Sequence, residues 1–118
     1  MKMVHLAKEG LLSFIDTDTS LESLYKLIGC SCITMFNLDT SEDEKRDYDI
    51  YLDDEGMLVD NFEETVNFFS IIPYQKGIFN QPLYGNMLLT ASNPETGEFV
   101  DIDRDEAMAI LKKFKMIP

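Results

Sequence analysis

Residues 19–38 read TSLESLYKLIGCSCITMFNL and predict a helix followed directly by a strand. Apolar residues at the helical spacing i, i+3, i+4 and i+7 form one face: Leu21, Leu24, Tyr25 and Ile28. Thr19 and Glu22 fit a capping box, and Gly29 suits the position just past a helix end. Residues 30–38 are apolar at both alternating sets of positions and rich in strand formers, which predicts a central strand.

Short apolar runs on either side of this unit predict further strands, at 3–8, 11–15, 48–52, 57–59, 86–91 and 98–102. Turn residues between neighbouring runs indicate hairpins. In YDIYL, residues 48–52, strict alternation places Tyr48, Ile50 and Leu52 on a buried face. Asp49, Tyr51 and Asp53 are expected on the exposed face.

Two more helices are predicted. Asn61 with Glu64 suits the start of a short helix. Asp103 with Glu106 is a capping box before a longer helix, whose apolar face is Ala107, Ile110, Leu111 and Phe114. The intervening chain is expected to be irregular where prolines and glycines fall, at Pro73, Gly77, Pro82 and Gly85. Hairpins mixed with about three helices predict a single α+β domain over 1–118, with a mostly antiparallel sheet.

The chain carries a net charge of −12. Most of it comes from residues 39–64, which contain twelve acids and two bases. This sign disfavours direct nucleic-acid binding and attachment to an anionic membrane surface. No stretch approaches the roughly 20 apolar residues that span a bilayer. The first 16 residues lack the apolar run of a signal peptide, so a cytoplasmic location is expected.

Motifs for catalysis or metal binding do not fit the sequence. With Gly56 placed at position 6 of a calcium loop, Phe62 takes the position that requires glutamate. His5 is the single histidine and falls in a predicted strand. Cys30 and Cys32 are two residues apart, where a structural disulfide is rare and a zinc site is incomplete. We therefore expect no enzyme activity, no cofactor and no metal.

Two surfaces are candidates for binding a protein partner. The first is the acidic segment 39–64, represented by Asp43, Glu44, Asp49, Asp53, Asp54 and Glu55. Like charges at this density repel one another, and steering toward a basic surface would compensate. Such a surface could be one that normally holds nucleic acid, which the acidic segment would mimic. The alternative is that these acids form a solvated strand face and a turn.

The second candidate surface is the stretch 65–94, which contains one charged residue, Lys76. Its large apolar residues include Phe69, Ile72, Tyr74, Phe79 and Tyr84. They either close the core or form the interface of a homodimer. The corresponding function is a structural or assembly module.

Four segments also resemble a known family: Leu21–Ile33, Asp53–Leu58, Tyr84–Leu89 and Gly97–Glu106. They are similar to a family of small domains of unknown function that is common in phages, plasmids and conjugative elements of Gram-positive bacteria. The family has no known catalytic set, so the resemblance assigns no functional residue. It implies an accessory protein of a mobile element in the bacterial host cytoplasm. Combined with the acidic segment, it suggests a non-catalytic binding protein, for example an inhibitor of a host defence nuclease.

Overall fold

The computed structural model describes residues 1–38, 46–54 and 66–118. In these residues six strands form one antiparallel sheet and three helices accompany it. The strands are β1 (Lys2–Leu6), β2 (Leu12–Asp16), β3 (Ile33–Leu38), β4 (Asp47–Asp53), β5 (Met87–Ser92) and β6 (Phe99–Val100). The helices are α1 (Leu21–Ile28), α2 (Phe68–Gln75) and α3 (Arg104–Lys113). The predicted α+β class with an antiparallel sheet is confirmed.

Strand β5 lies at the centre of the sheet. The strand order is β2-β1-β5-β4-β3, and β6 pairs with the end of β5. All six residues of β5 are buried. The prediction of a central strand at residues 30–38 differs from the structure: among the described strands β3 is at one edge of the sheet, and its Met35 is exposed. Apolar residues on both faces of a strand indicate cover above and below it, and they do not reveal whether both of its edges are paired.

The larger core lies on the face of the sheet that α2 and α3 cover. It joins strand residues such as Val4, Ile50 and Leu89 to the apolar side of α3. The predicted α3 face is confirmed, since its four members are buried: Ala107, Ile110, Leu111 and Phe114. The predicted capping box is also present, with the backbone N–H of Glu106 donating to Asp103 Oδ1 at 2.8 Å.

A smaller core on the opposite face joins α1 to the sheet through Met3, Leu24, Ile28 and Leu88. Helix α1 begins after Ser20, whose side chain accepts from the backbone N–H of Ser23. The predicted cap at Thr19 is therefore wrong by one residue. Gly29 has φ +82° at the end of the helix, as its predicted position requires. The predicted apolar face of α1 is wrong at Leu21, which is 61% exposed, because the helix meets the sheet through Leu24 and Ile28.

Helix α2 begins at Phe68, within a stretch that the prolines predicted to be irregular. Pro73 lies near the end of this short helix, where its missing N–H removes only one helical hydrogen bond. The prediction of irregular chain is therefore wrong for residues 68–75. The predicted helix start at Asn61 and the predicted return strand at 57–59 lie outside the described residues.

Candidate interaction surface

Helix α2 is fixed to the sheet by the fully buried Asn67, which caps its start. Asn67 Nδ2 donates to the carbonyl oxygens of Leu6 at 3.0 Å and Gly85 at 2.8 Å. Asn67 Oδ1 accepts from the backbone N–H of Phe69 at 2.9 Å. Because one side chain joins β1, α2 and the segment before β5, the orientation of α2 is firmly determined.

Ser70 adds a second attachment on the inner side of α2. Its hydroxyl donates to the Asn67 carbonyl at 2.8 Å and accepts from the backbone N–H of Leu83 at 3.0 Å. Phe69, the next inward residue, is buried in the larger core. The inner side of α2 is thus held by both hydrogen bonds and apolar contacts.

The outer side of α2 presents large apolar side chains to solvent. Phe68 is 56% exposed, Ile72 46% and Tyr74 47%, and Ile71 and the nearby Ile78 are also exposed. These residues lie within eleven positions, and all except Ile78 are on α2, whose orientation is fixed. Contiguous exposed apolar groups of this kind mark interaction sites more often than scattered ones do.

A groove of about 490 Å³ runs between α2 and the end of α3, and we call it the α2–α3 groove. Its lining is mostly apolar: Phe68, Ile71, Ile72, Lys112, Lys115, Met116, Ile117 and Pro118. The charged side chains in this lining are two lysines. Neither Lys112 nor Lys115 forms an ion pair with any residue in the described ranges.

The residues predicted for the uncharged interface separate into two groups. Ile72 and Tyr74 are exposed on α2, as an interface requires. Phe69 and Phe79 are about as buried as any core residue, and Phe79 packs edge-on against Phe36 with ring centroids 5.0 Å apart. Phe69 and Phe79 therefore close the core, which is the alternative that the sequence left open for this set. Tyr84 is half-buried and its backbone forms a bridge with Val66.

The predicted acidic residues are only partly on the surface described here. Asp54 is exposed and Asp53 is half-buried, at the end of β4. Asp43, Glu44 and Glu55 lie outside the described residues. The structure therefore places one fully exposed carboxylate of the predicted set.

Asp49 contradicts the prediction of an exposed strand face, because it is only 6% exposed. Asn37 Nδ2 donates to its Oδ1 at 2.8 Å, and its backbone pairs with Thr90 of β5. Burial raises the pKa of the Asp49 carboxyl, the Asn37 hydrogen bond opposes this, and the neighbouring Asp47 charge raises the pKa further. Asp49 therefore lies in the interior of the sheet, unlike the exposed Asp54.

The histidine, the cysteines and the possible metal ligands were the candidates for a catalytic or metal-binding role. His5 Nε2 lies 3.0 Å from the carbonyl oxygen of Leu27, so this nitrogen donates and ties β1 to α1. Burial raises the pKa of the Cys30 thiol, and the Asp53 carboxylate raises it further, which keeps the thiol protonated and a poor nucleophile. Across the described ranges, no three His, Cys, Asp or Glu side chains gather closely enough to hold a metal ion.

Sequence reasoning missed the contribution of the chain's last residues to this surface. Lys112 and Lys115 fit the negative end of the α3 dipole, and this alone accounts for lysines at these positions. Only the packing of α3 beside α2 brings them next to Phe68 and Ile72. An available signal was the absence of any acid after Glu106.

The fold and this surface define a small α+β domain that carries an exposed apolar helix face. The chain matches the family model of a domain of unknown function, DUF3846, over residues 1–115, and it belongs to that family. No curated protein and no solved structure matches it significantly. No helix in the described ranges combines the length and apolarity needed to cross a membrane.

Proposed function

We propose that this chain is a non-catalytic binding protein that engages a partner protein through the outer face of α2. The observation that carries the proposal is that one side of α2 is held firmly while its other side exposes apolar residues. Its inner side is held by Asn67 and Ser70, while Phe68, Ile72 and Tyr74 remain exposed. A fixed helix that exposes large apolar groups is pre-organised for binding, because little conformational freedom is lost when a partner docks.

The size of this surface favours a short partner segment over extensive self-association. Helix α2 has eight residues, which corresponds to a length of about 12 Å. A stable protein–protein interface of standard size buries about 800 Å² on each partner. One short helix and the adjoining groove supply only part of that area, so homodimer formation through residues 65–94 is the less favoured form of the proposal.

A pair of matched substitutions tests the proposal. Ile72→Glu places a charge on the outer face of α2, and Leu21→Glu places the same charge at an exposed apolar residue of α1. A partner that co-purifies with wild type and Leu21→Glu, and is lost from Ile72→Glu, supports the α2 surface. A partner that Ile72→Glu still retains contradicts it.

Light scattering of the same three proteins separates the two forms of the proposal. A monomeric mass for all of them agrees with binding to a different protein. A wild-type dimer that Ile72→Glu converts to a monomer would instead support an assembly module that uses this face.

A second candidate function relies on the acidic segment 39–64, which would engage a basic surface of a protein partner. The net charge of −12 supports it, together with Asp47 and Asp54, which are exposed at the two ends of β4. Carboxylates on a surface of this charge speed association with basic proteins. A basic surface that normally holds nucleic acid, such as that of a host defence nuclease, is the corresponding target.

For the biological setting, we propose an accessory role in a phage or mobile element, in the cytoplasm of a bacterial host. The resemblance of the four sequence segments supports this setting. Fractionation of host cells that express the chain from its native element tests the location.

A further inference from the structure

We propose that the α2–α3 groove receives an acidic amphipathic helix of the partner protein. The apolar residues of that helix would enter the groove, and its carboxylates would meet Lys112 and Lys115 at the rim. This inference rests on the proposed function and specifies the segment that the partner contributes. Three observations support it: the local charge, the backbone at Lys115, and the dimensions of the groove.

The charged side chains that line the groove are positive, whereas the net charge of the chain is negative. The segments that form and flank it, 66–92 and 107–118, contain four lysines and no aspartate or glutamate. The whole chain carries −12. Exposed charges act over about 8 Å at physiological ionic strength, so Lys112 and Lys115, which line the groove, are close enough to attract a carboxylate on a segment bound there. Glu9 lies in the turn whose Gly10 packs against Phe68, but it is not part of the groove lining.

The backbone at Lys115 provides the second observation. Helix α3 ends with hydrogen bonds from Lys115 N–H to the Lys112 carbonyl and from Met116 N–H to the Leu111 carbonyl. In this motif the residue in the left-handed conformation is usually glycine. Lys115 has φ +60° and is the only non-glycine residue with positive φ in the described ranges. Lysine is disfavoured at this backbone conformation, and yet Lys115 is present and places its ammonium group among the residues that line the groove.

The dimensions of the groove suit one helix. Its walls are α2 and the segment that follows α3, and its floor is apolar. The wall formed by α2 is about 12 Å long, which corresponds to two helical turns. Two turns of a bound helix present apolar residues at i, i+3 or i+4, and i+7. Amphipathic helices bind protein grooves in this way, with their polar side facing the rim.

Designed peptides test the inference even while the partner is unidentified. The probe is a fluorescein-labelled helix of about 16 residues with leucines on one face and glutamates on the other. One control has lysine in place of glutamate, and a second has the glutamate peptide's composition in scrambled order. Fluorescence anisotropy at about 0.15 M salt measures binding to wild type, Ile72→Glu and the double variant Lys112→Glu, Lys115→Glu.

We expect wild type to bind the glutamate helix, to bind the scrambled peptide at least tenfold more weakly, and to lose binding in Ile72→Glu. The double lysine variant should prefer the lysine helix at the same site. An Ile72-dependent preference of wild type for the lysine helix would overturn the inference and leave the proposed function intact. Failure of the glutamate helix to bind at about 0.1 mM would also overturn it.

Lys115→Gly separates binding from folding. Glycine should raise the melting temperature, because it fits the left-handed backbone without a Cβ. It should also weaken binding of the glutamate helix by up to about fivefold, the effect of losing one exposed ion pair. Lys115→Arg should retain the affinity. An affinity unchanged in Lys115→Gly would overturn the role of Lys115 in recognition.

Discussion

Asp49 shows how a single residue can depart from the pattern of its strand. Alternation along β4 predicted an outward carboxylate, yet the side chain is as buried as Leu52 on the opposite face. That outward face is itself covered, since α1 packs on Leu88 and the rings of Tyr51 and Phe99 lie 5.8 Å apart. A sheet covered on both sides has no fully wet face, and alternation in one strand cannot reveal a second cover.

The raised pKa of Asp49 has a consequence for stability against pH. A carboxyl group that binds its proton more tightly in the folded state adds stability below its unfolded pKa of about 3.9, and this stability is lost as the pH rises through the folded pKa. At neutral pH the ionised group therefore destabilises the fold. Asp49→Asn keeps an oxygen for the Asn37 amide and removes the charge, so the free energy of unfolding should increase at pH 7 and change little near pH 3.

Urea unfolding at both pH values checks this prediction. Asp54→Asn removes the same charge from an exposed position and is the matched control. If the free energy of unfolding rises equally in the two variants, the cause is the lower overall negative charge. The burial of Asp49 would then not be the cause.

At the scale of the element, the caps of α3 are the most predictable feature. Asp103→Ala removes the acceptor of the 2.8 Å bond from the Glu106 N–H and should cost about 0.5–2 kcal/mol in the free energy of unfolding. Asp105→Ala, in the same helical turn but without a capping bond, is the control. Chemical denaturation measures both, and an equal loss in the two variants would contradict the capping role.

Helix α1 should depend strongly on one residue, because the core beneath it is small. Leu24 is fully buried with Met3, Ile28 and Leu88, so Leu24→Ala should cost about 2–5 kcal/mol. Leu21→Ala, at an exposed position on the same helix, should change stability by less than about 0.5 kcal/mol. A silent Leu24→Ala would mean that α1 is not packed against the sheet as described.

The elements that the sequence predicted correctly are those with local signals. Gly29 and the Asp103–Glu106 pair mark helix ends through bonds within a few residues. Strand β5 follows from the short, mostly apolar run MLLTA between turn residues. Helix α2 could not be predicted in the same way, because its cap residue, Asn67, is held by carbonyl groups of Leu6 and Gly85 that are distant in sequence. Tertiary contacts here outweigh the local preference of Pro73.

At the scale of the whole molecule, acidic residues and the uncharged apolar stretch occupy different parts of the sequence. The sequence alone showed that the acids concentrate between residues 39 and 64. It could not show the α2–α3 groove, because Ile72 and Lys112 are brought together only by the packing of both helices on one face of the sheet. The candidate site was therefore predictable in part. Ile72 and Tyr74 belong to the predicted uncharged stretch, whereas the position of the lysines beside them depends on the packing of α3.

The two binding surfaces make opposite predictions for a variant that lacks acidic charge. In the triple variant Asp53→Asn, Asp54→Asn, Glu55→Gln, three charges are removed from the acidic segment while shape is kept; Glu55 lies outside the described residues. If the acidic segment steers the chain toward a basic partner, association should slow, and most strongly at low salt, where steering is not screened. Stopped-flow mixing with the captured partner, at low and high salt, measures the rate. Unchanged association at low salt, together with loss of binding in Ile72→Glu, would make the acids a solvated face and leave α2 as the functional surface.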